Sequence, residues 1–177
     1  MVASVLHWLM AGLIIFDFLL GGFKAHFSAC FPAVRSLFVW HKWVGITIFL
    51  LLIIRIFWRI THPVPPLPKK MHSIWHRVSH TGHMFLYLLM LVVPLSGYFY
   101  SAVAGRQVVY FGLLPLPRLI TPDPVLQPVL KNVHFVLDYM LLALIFLHVA
   151  AVICHRMTGG QRLLARISLS GKSWCKW

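Results

Sequence analysis

The stretch VHFVLDYMLLALIFLHVAAVIC, Val133 to Cys154, decides the fold. It holds one formal charge, Asp138, and two imidazoles, His134 and His148, in an otherwise apolar run. At about 1.5 Å per residue a helix of this length spans ~33 Å, enough to cross a hydrocarbon core of ~30 Å. The run is too long for a barrel strand. In lipid, a helix is then the form that satisfies its own backbone hydrogen bonds.

Three more segments repeat the pattern, at about 5–23, 37–58 and 83–103. The expected fold is therefore an all-α membrane protein, a four-transmembrane-helix bundle formed as one domain over residues 1–177. Composition supports it, with 60% hydrophobic residues, 11% charged residues and a mean hydropathy of +0.83 over 177 residues. A soluble domain of this size needs more charge to cover its surface. Pro94 and Gly97 lie inside the third segment, where membrane helices tolerate them and bend or let a neighbour approach. A Pro-rich connector runs from His62 to Lys70, and a longer one from Gly105 to Lys131 contains a surface-lying stretch.

Sixteen Lys and Arg face only three carboxylates, Asp17, Asp123 and Asp138. The basic residues sit between and after the apolar runs, which makes them topology signals and headgroup contacts, not a nucleic-acid surface. Ten of the sixteen, including Arg55, Arg59, Lys69, Lys70 and Arg77, fall in the second connection and the tail. The positive-inside rule thus puts both termini in the cytoplasm. The stretch before Cys30 has no basic n-region, so the first helix is expected to persist and not be cleaved as a signal peptide.

Eleven histidines are present, several inside apolar runs where an ionisable side chain usually faces the bundle interior. His134 and His148 are fourteen residues apart, which puts them on nearly one face and ~21 Å apart along the axis. His41 starts the second segment level with His134, and His7 starts the first level with His148. Two opposed imidazole pairs follow: His41 with His134 on the outer side, His7 with His148 on the inner. Such pairs suit a b-type haem, whose iron takes two axial nitrogens. The second ring nitrogen of each needs a partner, for which Ser4, Thr47 and backbone carbonyls are candidates. His83 faces inward at the inner level and competes with His7. His26, His62, His72 and His76 read as loop or interface residues. No CxxCH motif provides covalent haem attachment. Asp17 and Asp138 are intramembrane carboxylates, read first as satisfied structural hydrogen-bonding groups.

Taken in order, Leu6-His7-Trp8, His41 with Gly45, Arg55-Ile-Phe-Trp-Arg59, Gly82-His83 with Tyr87, Pro94 and Gly97, Phe111-Gly112, His134 and His148 resemble the bacterial cytochrome b561 family of four-helix dihaem proteins. The resemblance covers nearly the whole chain. It implies an inner-membrane protein holding two non-covalent haem b groups, the inner on His7 and His148, the outer on His41 and His134. It also implies electron exchange with membrane quinone, and in some members oxidation of superoxide outside with reduction of ubiquinone. Two further roles are expected beside it. His155, near the inner level, is a candidate hydrogen-bond donor and proton source for a quinone. Lys42 and Arg106 are candidates to attract an anion such as superoxide on the outer side. The chain departs from the family where Cys154-His155 replaces a histidine pair and Gly159-Gly160-Gln161 replaces a Lys-Asp region. Competing functions are a haem-bearing membrane anchor serving a partner dehydrogenase or hydrogenase through an unidentified electron-donor protein, and a His-lined metal transporter. The transporter would want carboxylates or thiols close to the histidines.

Overall fold

The computed structural model describes residues 1–27, 34–62 and 73–157; of these, the side chains of 23–27, 34–35, 73–76 and 155–156 lie outside the description. Four helices dominate: α1 (Val2–Phe27), α2 (Val34–Thr61), α3 (Ser73–Val103) and α4 (Leu126–Met157). Each contains a span long and apolar enough to cross a membrane. All four extend beyond the apolar runs that predicted them, because helical hydrogen bonding continues into the flanking polar residues after the hydrocarbon match is complete. His41 and His134 accordingly lie well inside α2 and α4 and do not start them.

α1 packs along α2 and α3 along α4, with a sparser seam between α2 and α3. Among the described residues, no Cα pair within 8 Å joins α1 to α3 or α4, or α2 to α4. The core of the α1–α2 pair is Ile14, Leu20, Val44 and Ile48, backed by Met90 and Ile145 from the other two helices. Most other large apolar side chains face outward, Ile15, Phe57, Phe146 and Leu147 among them. An inverted distribution of this kind is what lipid as solvent permits, since the tails are as apolar as the side chains they meet.

Pro94 sits within α3 and removes one backbone donor, yet the helix runs through it. The Ser96 hydroxyl, two residues on, donates to the Val93 carbonyl at 2.6 Å. α3 then ends in a Schellman motif. Gly105 takes φ +69°, its N–H reaches the Ala102 carbonyl, and the Arg106 N–H reaches that of Ser101. Asp123 opens α4: its Oδ1 accepts from the N–H groups of Val125 and Leu126 at 2.8 and 3.1 Å. Its own N–H bonds the Val103 carbonyl, so one residue caps α4 and ties it back to the end of α3.

Between these ends lies a short antiparallel hairpin, β1 (Val109–Tyr110) and β2 (Leu114–Pro115), a small exception to the all-helical expectation. Its turn places both Phe111 and Gly112 at positive φ, 47° and 72°. Phe111 takes up this disfavoured conformation where its ring packs on Trp43 at 5.1 Å between centroids. The Trp43 indole donates to the Val109 carbonyl at 2.7 Å, and the hydroxyls of Thr47 and Tyr110 meet at 3.0 Å. The connection is thereby fastened over the His41 end of α2. Trp43→Phe keeps the ring contact and loses the hydrogen bond, about 1 kcal/mol. Faster limited proteolysis within residues 104–125, with the four helices intact, is the expected result.

Candidate functional site

Two pairs of imidazoles form along the bundle. At the hairpin end, the rings of His41 and His134 have centroids 6.4 Å apart. At the end that carries the termini, His7 and His148 are 6.5 Å apart. Both pairs are partly buried, and each joins helices that, among the described residues, have no Cα pair within 8 Å. The depth-matching expected from spacing along the chain is thus present in the bundle.

The hairpin-end pair is held from both sides. His41 Nδ1 lies 2.8 Å from Asp17 Oδ1, and His134 Nδ1 lies 2.8 Å from Ser96 Oγ. Neither partner was among the candidates read from the sequence. Thr47, which was, bonds the Trp43 carbonyl and Tyr110 instead. Asp17 is ten residues along α1 from His7, ~15 Å deeper, so its depth was calculable but its facing partner was not. Asp138 lies one turn from His134, with Oδ2 3.5 Å from His134 Nε2. Small residues let these contacts form. A Cβ on Gly97 would meet His134 Cε1 at 2.9 Å, one on Gly21 would meet His41 Cε1 at 3.5 Å, and one on Gly45 would meet Asp17 Oδ2 at 3.7 Å.

The terminal-end pair has different surroundings. The Arg55 guanidinium lies 3.4 Å from His7 Nδ1 and donates to the Tyr87 hydroxyl at 3.1 Å, while Arg59 reaches the same hydroxyl at 3.4 Å. The spacing Arg55-x-x-x-Arg59 puts both cations on one helix face, which is how two reach one tyrosine. His83 is also here, edge-on to His148 at 5.3 Å, with Nδ1 2.6 Å from the Ser79 carbonyl one turn back. It shares the α3–α4 packing with His148, whereas His7 faces His148 from α1.

Of the other expected residues, Lys42 and Arg106 come together: both charges lie over the Phe38 ring, at 4.4 and 5.4 Å. His155 ends α4 with its side chain outside the described residues. His62 stacks on Trp58 at 3.9 Å, in keeping with an interfacial position. Among the described residues, no three of His, Cys, Asp and Glu are placed to hold a bare metal ion.

Residues 1–168 match the family described as prokaryotic cytochrome b561. The chain belongs to that family. It is also 28% identical over 176 residues to cytochrome b561 homolog 2 of Escherichia coli K12, covering 97% of this chain and 90% of the relative. With the probable superoxide oxidase CybB of Yersinia pestis it shares 29% over 169 residues, 92% of this chain and 90% of that one. This b561 protein is therefore a haem-containing membrane electron-transport protein with four candidate spans.

The glycine contacts carry a direct test of the packing. In this cytochrome Gly97→Ala drives a methyl into His134, a ring held by Ser96, and should cost on the order of 1–3 kcal/mol. Gly12→Ala meets nothing within 4 Å and should leave stability unchanged or slightly raised. Thermal unfolding in detergent reads both.

Proposed function

We propose that this protein carries electrons across the membrane between two haem b groups, one held by His41 and His134 and the other by His7 and His148, with residues 1–177 acting as one domain. The observation that supports this most is the ring separation. Metal–imidazole bonds of roughly 2 Å, plus about 1.2 Å from nitrogen to ring centre on each side, put two axial rings ~6.4 Å apart across one ion. The pairs stand at 6.4 and 6.5 Å. His83 and His148, at 5.3 Å, stand closer than that separation, which favours His7 over His83. A haem b held by such a pair would supply reversible one-electron chemistry.

The chain's own side chains do the rest. Asp17 and Ser96 take up the Nδ1 positions of His41 and His134; Nε2 of each would then be the atom that holds the haem, with the Asp138 carboxyl 3.5 Å from that of His134. The positive-inside rule puts both termini, and with them the His7–His148 pair, on the cytoplasmic side. Lys42 and Arg106 then lie on the outer side near the hairpin, where two cations over one ring attract an anion such as superoxide. Membrane quinone is the proposed acceptor, with His155 as the donor that hydrogen-bonds its carbonyl on the inner side. The name of the Yersinia pestis relative is consistent with superoxide as the reductant.

Purified protein should be red and contain about two haems per chain by the pyridine haemochrome assay. His7→Ala and His148→Ala should each remove the same haem, and His41→Ala and His134→Ala the other. Loss of a haem on His83→Ala but not on His7→Ala would reverse the assignment at the terminal end. For the redox partners, stopped-flow mixing with superoxide should reduce the haems, and a ubiquinone analogue should reoxidise them. Lys42→Gln with Arg106→Gln should slow the first step several-fold at low salt and progressively less as salt rises. Salt-independent rates in the wild type would remove the case for steering.

A further inference from the structure

The two histidine pairs are matched in spacing but opposite in what surrounds them. At the hairpin end the ligand rings meet hydrogen-bond acceptors: Asp17 Oδ1 on His41 and Ser96 Oγ on His134, each at 2.8 Å, with the Asp138 carboxyl beside His134. At the terminal end a cation lies beside His7 Nδ1, Arg55 at 3.4 Å, with Arg59 behind it on Tyr87. Among the described residues Lys42 and Arg106, with the exposed Arg118 and Lys131, are the opposing charges at the hairpin end. Lys42 and Arg106 lie over Phe38, and Arg106 is exposed to solvent, whereas Asp17 acts through a bond on the ligand ring itself.

An acceptor on Nδ1–H makes an axial imidazole a stronger donor and favours the ferric state. A fixed positive charge beside the other ligand favours the ferrous state, since it offsets the added electron. We infer that Asp17 and Arg55 are positioning residues that polarise the bundle, setting the His41–His134 site at a lower reduction potential than the His7–His148 site. This rests on the ligand assignment proposed above. A single electron leaving the hairpin-end site oxidises it and reduces the terminal-end site. It is replaced by one from the reductant on the outer face and passed on to a quinone. Transport from the hairpin face to the terminal face is then downhill before any partner binds.

Redox titration of the purified holoprotein, followed at the α-band, tests this without turnover. The wild type should show two components. His41→Ala, which keeps the terminal-end haem, should titrate at the higher of the two potentials. Asp17→Asn should retain two haems and raise the lower component by a tenfold change in its one-electron equilibrium, about 59 mV, and Asp17→Glu should bring it back. An Asp17 that merely props the helices would cost haem or stability in the Asn variant without moving the potential of what remains loaded. The inference is overturned if His41→Ala titrates at the lower potential, or if Asp17→Asn keeps both haems and both potentials. Should Asp17→Asn lose its haem, the polarity read from His41→Ala still decides. Retention of two haems in both His41→Ala and His7→Ala would sink the ligand assignment instead, a different failure with a different signature.

Discussion

An imidazole in hydrocarbon has two ring nitrogens to satisfy and no water to do it, and a carboxylate is worse off still. The bundle accommodates both kinds of group by making them partners. Asp17 on α1 meets His41 on α2, and Gly21 and Gly45 leave the space in which they meet. On α3, Ser96 reaches His134 and Gly97 makes room for that ring. In each case an apparent defect in an apolar helix (a charge, a hydroxyl or a glycine) is explained by the imidazole or carboxyl group it accommodates. Conserving helix propensity alone would have removed every one of them.

The same requirement is met differently at the two ends. Near the hairpin the connection from α3 to α4 is fastened down by Trp43, Thr47 and the cap at Asp123, and the imidazoles of His41 and His134 find partners within the bundle. Near the termini the rings sit among arginines, whose charges have a short path to the headgroups along helix ends. Arg55 thus places positive charge directly beside the His7 ring, with Arg59 behind it on Tyr87.

The helices and the pairing were legible in the sequence because both depend on distance along the chain. Run length gives a span, and fourteen residues between His134 and His148 gives two depths on one face. Helix ends were less legible: hydrocarbon match limits the apolar run, while capping by Asp123 and the Schellman turn at Gly105 fixes where α4 begins and α3 stops. The hairpin was hidden because its strands are two residues each, too short for any alternation to register. The partners of the ligand rings were also missed. Asp17 and Ser96 lie at the right depths, but the face they present depends on how α1 turns against α2 and α3 against α4, which spacing along one helix does not contain. His83 shows the converse, since spacing put it at the level of His148 while its helix pairing brings the two rings to 5.3 Å, closer than either of the other pairs.

α4 is the helix for which this matters most. Its apolar span has the highest hydropathy of the four, 2.4, and only 6% of it is buried within the protein. Among the described residues it packs closely on α3 alone, and meets the α1–α2 core mainly through Ile145, a narrow contact for setting its register against those helices. Its two histidines nonetheless face one ring on each of those helices, ~21 Å apart along the axis. Two attachment points at different depths fix both rotation and translation of a rod. On this view, ligation at both pairs would do for α4 what a buried interface does for the other helices, and the cofactor-binding side chains would belong as much to the fold as to the redox chemistry.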